Sequence, residues 1–597
     1  MNSSNPSNRS RLLWLGAGLS ALAAWTIFCH ATRYTHHTPH LHAVPAFFAG
    51  LLMLALAYTL VRLCTNARKH GIRWLVSGAA GRLCGGTLVF VVSILTLFYT
   101  VELWRGKRAW AAVAREAAAY NEPLDFGPLF SEQVPDDQNF ARASFFAPLM
   151  TVSNGLPADR NALLPGDTGQ FNFVANWEKG PYVPRNPNPI LLAPWLEART
   201  TDLASWMGFF RGWTTNDATP GEPWKWEPVP KISPQEAARL LLACLRRQFD
   251  ADLDSLRVCS DRPYCRFPLD YTTQMFTDAR PGHVLGGFMR ILRLRASAAI
   301  VAGENEAAFS DLRLALRLVD YARQQPWACQ AGQRLAGVEE TLQPLWEGLA
   351  RHCWNEQQLA AIQAQLQALD LLSDYPSAVR NDAVAMSSFA ERIIPTSPAT
   401  PLDFPSLRPE ERRTIQFVRL LYPVGWSLQD QAAIHRLHLE TTSRYIDLNS
   451  RRITAPNPAY RGYPEPLAAT SDPLFPIFFA PKVRELFSEQ AQCLPFAQTI
   501  VDLATLACGL ERHRLATDSF PQTLDALVPR FIAKIPSDIF SGAPLKYRLT
   551  NGGGFVLYSI GLNGTDDAGK PCPRLGHWHT GQFDLRQGDW AWQHPDP

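Results

Sequence analysis

A chain of 597 residues, 46% of them hydrophobic, is several domains' worth of polypeptide and can bury substantial cores. Its formal net charge of +3 is close to neutral for that length, which removes the electrostatic case for a nucleic-acid partner. Eleven cysteines without a C-x-x-C pair argue against a zinc module and leave occasional disulfides, in an oxidising compartment, as the main option.

Three apolar stretches come first. Leu12–Thr32 follows a polar tail ending in Arg9 and Arg11, and it lacks the small-residue cleavage site of a signal peptide. Ala43–Val61 follows the loop Arg33–His42. Leu83–Val101 (LCGGTLVFVVSILTLFYTV) is bounded by Arg82 and Glu102, and no comparable stretch is expected after it. A helix needs roughly 20 residues to cross a hydrocarbon core of about 30 Å, and the third stretch has that length. The expected fold is a mainly α membrane protein: three N-terminal transmembrane helices (12–32, 43–61 and 83–101), a helical soluble body and a small α+β module at the end. Trp14 and Trp104 sit at span ends, where indole rings favour the headgroup region.

Lys and Arg in the flanks set the orientation. Arg9 and Arg11 in the tail, with Arg62, Arg68, Lys69, Arg73 and Arg82 between the second and third spans, outweigh Arg33, Arg105, Lys107 and Arg108. The amino terminus is therefore expected in the cytoplasm and the large body outside the inner membrane, in the periplasm of a bacterium.

The chain divides into an anchor (1–104), an irregular Pro/Trp-rich region (105–231), a helical domain (232–395), a Pro-rich connection with helices (396–476) and an α+β module (477–597). An amphipathic helix continues from Trp104 to about Tyr120, and the runs that follow read as extended segments lying on another surface. Ser233-Pro-Gln-Glu236 is a capping box ahead of Leu240, Leu241, Cys244, Leu245 and Phe249 at helical spacing. Val284–Val301 and Glu304–Arg323 form a helix pair broken at Gly303, like one tetratricopeptide hairpin without a second copy in register. Helices are also expected over Gly332–Cys353 and Asn355–Leu372, and in the second Pro belt around Glu410–Leu421 and Ser427–Tyr445. Phe496, Ile500, Leu503, Ala507 and Leu510 form a helical stripe, followed by a short helix at Gln522–Val528. Leu545–Leu549 and Phe555–Ser559 flank Asn551-Gly-Gly-Gly554, a hairpin signal, and Gly581–Trp592 can add a further strand.

The last hundred or so residues resemble the globular half of the major pseudopilin of type II secretion systems. The residues that carry this are Ala504–Leu515, Phe520-Pro521 with Leu524 and Leu527-Val528, Ile535–Asp538, Pro544–Tyr547, and Tyr558–Gly564 with Asp566 and Asp567. A pilin begins with a cleavable leader and a long apolar helix, and only Leu474–Ala480 hints at that half, so filament-subunit function does not carry over. The rest of the body resembles an uncharacterised family of bacterial envelope proteins through Val134–Phe140, Arg262–Pro268, Leu369–Tyr375 and Gly588–Trp590. No activity accompanies that resemblance.

Candidate chemistry is sparse. In the pseudopilin family the terminal loop binds calcium, and Asn563, Asp566 and Asp567 here sit on a Gly-flanked turn with oxygen-ligand chemistry, with Asp584 or Asp589 able to return as further ligands. The alternative is a Gly/Asx turn with solvated acids. Gly564–Pro571 falls short of a P-loop because Pro571 replaces the Mg²⁺-binding hydroxyl, and nucleotide binding is not expected. His30 and the loop Arg33–His42 are His-rich, open to zinc or copper or else interfacial and neutral. Cys259 and Cys265 form either a small disulfide loop or two buried thiols. Catalytic signatures of the G-x-S-x-G, H-E-x-x-H, G-x-G-x-x-G and S-x-x-K kinds are missing from any credible context. The expected function is a membrane-anchored periplasmic scaffold or assembly component of the envelope, partnered by the membrane and other envelope proteins. The alternative is an envelope hydrolase whose site forms in the helical body.

Overall fold

The computed structural model describes residues 43–124, 134–147, 152–153, 156–157, 193–207, 232–267, 280–324, 331–393, 422–453, 480–573 and 583–594. The expected span 12–32, the His-rich loop, most of both Pro belts and the expected helix at 410–421 lie outside them. The architecture is mainly helical. The helices are α1 (Ala43–His70), α2 (Gly78–Ala119), α3 (Pro234–Cys259), α4 (Arg280–Ala302), α5 (Asn305–Arg323), α6 (Ala331–Ala350), α7 (Glu356–Gln367), α8 (Tyr375–Ile393), α9 (Val424–Tyr445) and α10 (Ala480–Thr517). Two-residue antiparallel ladders join β1 (Val152–Ser153) to β2 (Leu156–Pro157) and β3 (Ile446–Asp447) to β4 (Arg452–Ile453). The remaining strands, β5 (Lys546–Leu549), β6 (Phe555–Ser559) and β7 (Trp590–Gln593), form one antiparallel sheet in that order.

Two compact units emerge. The first takes residues up to 124 with 386–437 and 465–483; the second takes 125–385, 438–464 and 484–597. In the first, α1 covers the expected second span and runs on to His70, while α2 is a single 42-residue helix of about 63 Å at 1.5 Å per residue. The expected span and the amphipathic helix after it are thus one continuous rod. It ends at Tyr120, where Asn121 turns left-handed (φ 55°) and Glu122 N–H reaches back to Ala117 O at 2.9 Å.

In the second unit α3, α4, α5 and α6 pack on one another. Ser233 caps α3 as its sequence requires, accepting from Glu236 N–H at 3.2 Å. The buried stripe of α3 is Leu241, Leu242, Leu245, Phe249, Leu253 and Leu256, whereas Leu240 and Cys244 face outward. Gly303 ends α4 with φ +81°, and the bonds from Gly303 N–H to Ile300 O and from Glu304 N–H to Ala299 O close a Schellman cap. Ala296, Ala299 and Ala315 are fully buried where α4 and α5 approach. The complete capping box that starts α7 pairs Asn355 with Gln358 in both directions.

The stretch Cys493–Thr517 of α10 is also long and apolar enough to cross a membrane, a correction to the expectation that none follows the third span. It is 89% buried inside the fold, so it is a core helix. Phe496, Ile500, Leu503, Ala507 and Leu510 all lie within it, but Val501, Ala504, Leu506 and Cys508 are buried too, so the helix is enclosed on every side. Sheet and helices share one core: Phe496 meets Trp590 edge-on, Trp346 Nε1–H donates to Gln593 O at 2.7 Å, and Gln363 Nε2–H donates to Phe531 O at 2.9 Å. The expected short helix is a 3-10 turn, Leu524–Leu527.

Candidate functional site: an apolar rod with a polar socket

Much of the apolar stretch of α2 is left uncovered among the described residues. Leu88, Val89, Phe90, Val92, Leu97, Val101 and Trp104 are all at least 44% exposed, and only 6% of the most apolar window is buried. Burying one such side chain is worth about 1.5–3 kcal/mol, so leaving this row in water forfeits a large stabilisation.

A second stripe on the same helix is packed. Phe98, Glu102, Gly106 and Trp110 recur every four residues and meet the first half of α9. Phe98 contacts the Trp426 ring edge-on, and Trp110 meets His435 in the same way. Glu102, 3% exposed, accepts Trp426 Nε1–H and Gln429 Nε2–H on Oε2, each at 3.0 Å, and Arg105 on Oε1 at 2.8 Å. A Cβ on Gly106 would stand 2.3 Å from Gly425 O, and one on Gly425 2.0 Å from Glu102 O, so the two backbones touch. An acid at the end of the apolar stretch of α2 is thereby hydrogen-bonded by three donors instead of standing buried without partners. In the sequence Glu102 marks only the boundary of an apolar stretch. The four-residue recurrence of Phe98, Glu102, Gly106 and Trp110 was the signal available.

The terminal loop brings its three candidate ligands together, but as a turn. Asn563 Oδ1 accepts Thr565 N–H at 2.9 Å, and its amide donates to Asp567 Oδ2 at 3.0 Å. Asp566 pairs with Lys546 Nζ at 2.8 Å and accepts Ala568 N–H; the Lys546 bond holds its carboxyl below the usual range. Asp589 returns to this loop, accepting Gly569 N–H at 2.7 Å, whereas Asp584 binds Arg586 and Gln587 instead. Asp566 and Asp567 thus each hold a partner within the protein, an ammonium and an amide, where calcium takes six to eight oxygen ligands. Among the described residues no group of three or more His, Cys, Asp or Glu side chains is arranged to hold a metal. Cys259 is a free, buried thiol, so no bridge joins it to Cys265, which is buried as well. Of the two arrangements open from sequence, the fold adopts separate side chains.

The helical body buries charge. Asp311 lies between Arg295, at 3.1 Å, and Arg257, and Arg295 also reaches Asp250 at 2.7 Å. Burial pushes the Asp311 carboxyl up although both guanidinium groups oppose it. Arg290 of α4 clasps Glu340 of α6 through Nε at 2.8 and 3.0 Å, and burial drives the neighbouring Glu339 carboxyl well above its ordinary value. Glu347 Oε1 accepts Thr201 N–H, Thr201 Oγ1–H and Gln343 Nε2–H, each at 2.7 Å. Gln343 takes Trp195 N–H, while the Trp195 indole donates to Glu339 O at 2.7 Å. These groups fasten residues 193–207 onto α6.

No family model, no curated protein and no solved structure matches this chain.

Proposed function

We propose that the chain is a membrane-anchored scaffold or assembly component of a bacterial cell envelope. Its amino terminus is cytoplasmic, three helices cross the inner membrane, and the large body is periplasmic. The observation that carries the anchor is the row of exposed apolar side chains from Leu88 to Trp104 on α2. Acyl chains cover such a row without cost, and Trp104 with Arg105 and Arg108 then falls at the headgroup level. The apolar helix α1 lies next in the chain and packs on α2. The expected first span, 12–32, completes an odd number of crossings.

A scaffolding role is supported by the use to which the body puts its polar groups. Glu347, Gln343 and Thr201 converge, yet they bind one another, and Arg295 is engaged by Asp311 and Asp250 in the same way. The pilin-like reading of the terminal module is supported by a long helix, α10, packed on a three-stranded antiparallel sheet. The turn at Asp538 adds to it: Asp538 accepts Phe540, Ser541 and Ile560 N–H groups.

Cross-linking in intact envelopes, followed by recovery of the full chain, tests the role. Defined adducts with other envelope proteins are expected; recovery of the chain alone, with efficient cross-linking of a control, overturns scaffolding. Extraction of membranes with alkaline carbonate tests the anchor separately, and release into the supernatant overturns it.

A further inference from the structure

The turn between α1 and α2 is strongly basic. The last turn of α1 carries Arg68, Lys69 and His70; Gly71, at φ +82°, reverses the chain; and the 3-10 turn Ile72–Val76 leads to Ser77, whose hydroxyl caps Ala80 N–H. Between Arg62 and Arg82 there is no Asp or Glu. Arg62, Arg68, Lys69, Arg73 and Arg82 are all exposed, and none takes part in an ion pair among the described residues. Arg82 lies back along the first turn of α2, its Nη1 4.0 Å from where a Cβ on Gly78 would be. Its charge therefore adds to the positive end of the helix dipole, and no acid in that first turn opposes it. Within the same turn two aliphatic side chains stand out in solvent, Ile72 at 80% and Val76 at 90% exposure.

We propose that this turn is a docking surface for anionic phospholipid headgroups. Arg73, Arg82, Lys69 and Arg68 take the phosphates, and Ile72 and Val76 enter the boundary between headgroups and acyl chains. The inference rests on the membrane-anchored reading above and adds to it a lipid class. Basic side chains next to apolar ones, at the junction of two apolar helices, match the charge of such a surface on one side and its hydrocarbon on the other. A zwitterionic surface offers no net charge for five unneutralised cations. A partner that is only acidic leaves Ile72 and Val76 in water.

The test uses the full chain in vesicles of equimolar phosphatidylcholine and phosphatidylglycerol. Wild type is compared with a variant carrying Arg68→Gln, Lys69→Gln, Arg73→Gln and Arg82→Gln, and with a charge-keeping variant carrying Arg73→Lys and Arg82→Lys. After mild detergent extraction, the ratio of the two lipids retained by the protein is measured. Wild type is expected to retain phosphatidylglycerol over phosphatidylcholine by about tenfold, no more than one or two basic contacts supply. The Gln variant, melting at the same temperature, falls to the bulk ratio, and the Lys variant keeps the enrichment. A wild type at the bulk ratio, a Gln variant that stays enriched, or a Lys variant that does not, overturns the proposal. Failure of wild type to float with the vesicles at all overturns the anchor reading first, and so tells the two failures apart.

Discussion

Glu102 and Asp502 are both sheltered acids, and the difference between them is in their partners. Glu102 is surrounded by donors from Trp426, Gln429 and Arg105. Glu102→Ala leaves the indole and amide donors buried without an acceptor, at a cost of about 1–3 kcal/mol each when fully desolvated. The expected outcome is a clearly lower melting temperature in detergent, with Glu102→Gln falling between Ala and wild type. Asp502 keeps some solvent access but has Gln498 Nε2–H as its hydrogen-bond donor, at 2.9 Å, and burial pushes its carboxyl up to about 6. Its unfolded value is roughly 3.9, so the folded chain holds this proton to higher pH than the unfolded chain does. The associated stability is present below the unfolded value and is lost as pH rises through the folded one. Asp502→Asn should therefore gain on wild type as pH is raised from about 4 to about 6; parallel melting curves across that window would rule out the shift.

At the scale of the element, α6 joins most of the second unit. Its end is fixed by a close approach: a Cβ on Gly348 would stand 2.1 Å from Trp354 Nε1, with the rest of that buried indole behind it. Gly348→Ala must displace a rigid ring in a packed core, and overpacking of this kind costs about 1–3 kcal/mol. Urea titration should register that loss, although Ala is intrinsically the better helix former. One residue earlier, Glu347 holds Thr201 by two hydrogen bonds. Glu347→Ala is expected to speed amide exchange across 193–207 before it affects α4 or α5. Uniform protection in the variant would mean that Trp195, tilted against Trp592 with ring centres 4.8 Å apart, anchors the segment by itself.

For the whole molecule, seven basic flanking residues set against four give the expected orientation. A phosphatase that folds only in the periplasm, fused after Pro597, should be active; activity confined to a cytosolic reporter at the same position would invert the topology. Much of this architecture was legible in the chain itself. Gly303 between two helical stretches, Asn355 three residues before Gln358, and the Gly-rich link between β5 and β6 each encode their structure within a few residues, because caps and turns are local chemistry. The rod of α2 was legible as two adjoining pieces, since nothing between Val101 and Trp104 breaks a helix. Hydropathy could not separate α2 from the stretch Cys493–Thr517, because both are long and apolar; only the neighbours packed around the second one distinguish them. The same limit hid the socket, for Trp426 stands more than three hundred residues from Glu102 and no local pattern links them. Sequence by itself thus determined where helices, turns and apolar rods lie, through short-range backbone and side-chain preferences. Tertiary structure alone decided which apolar faces are covered, which acids meet donors, and that Asp566 turns to Lys546, because those outcomes depend on contacts between segments distant in the chain.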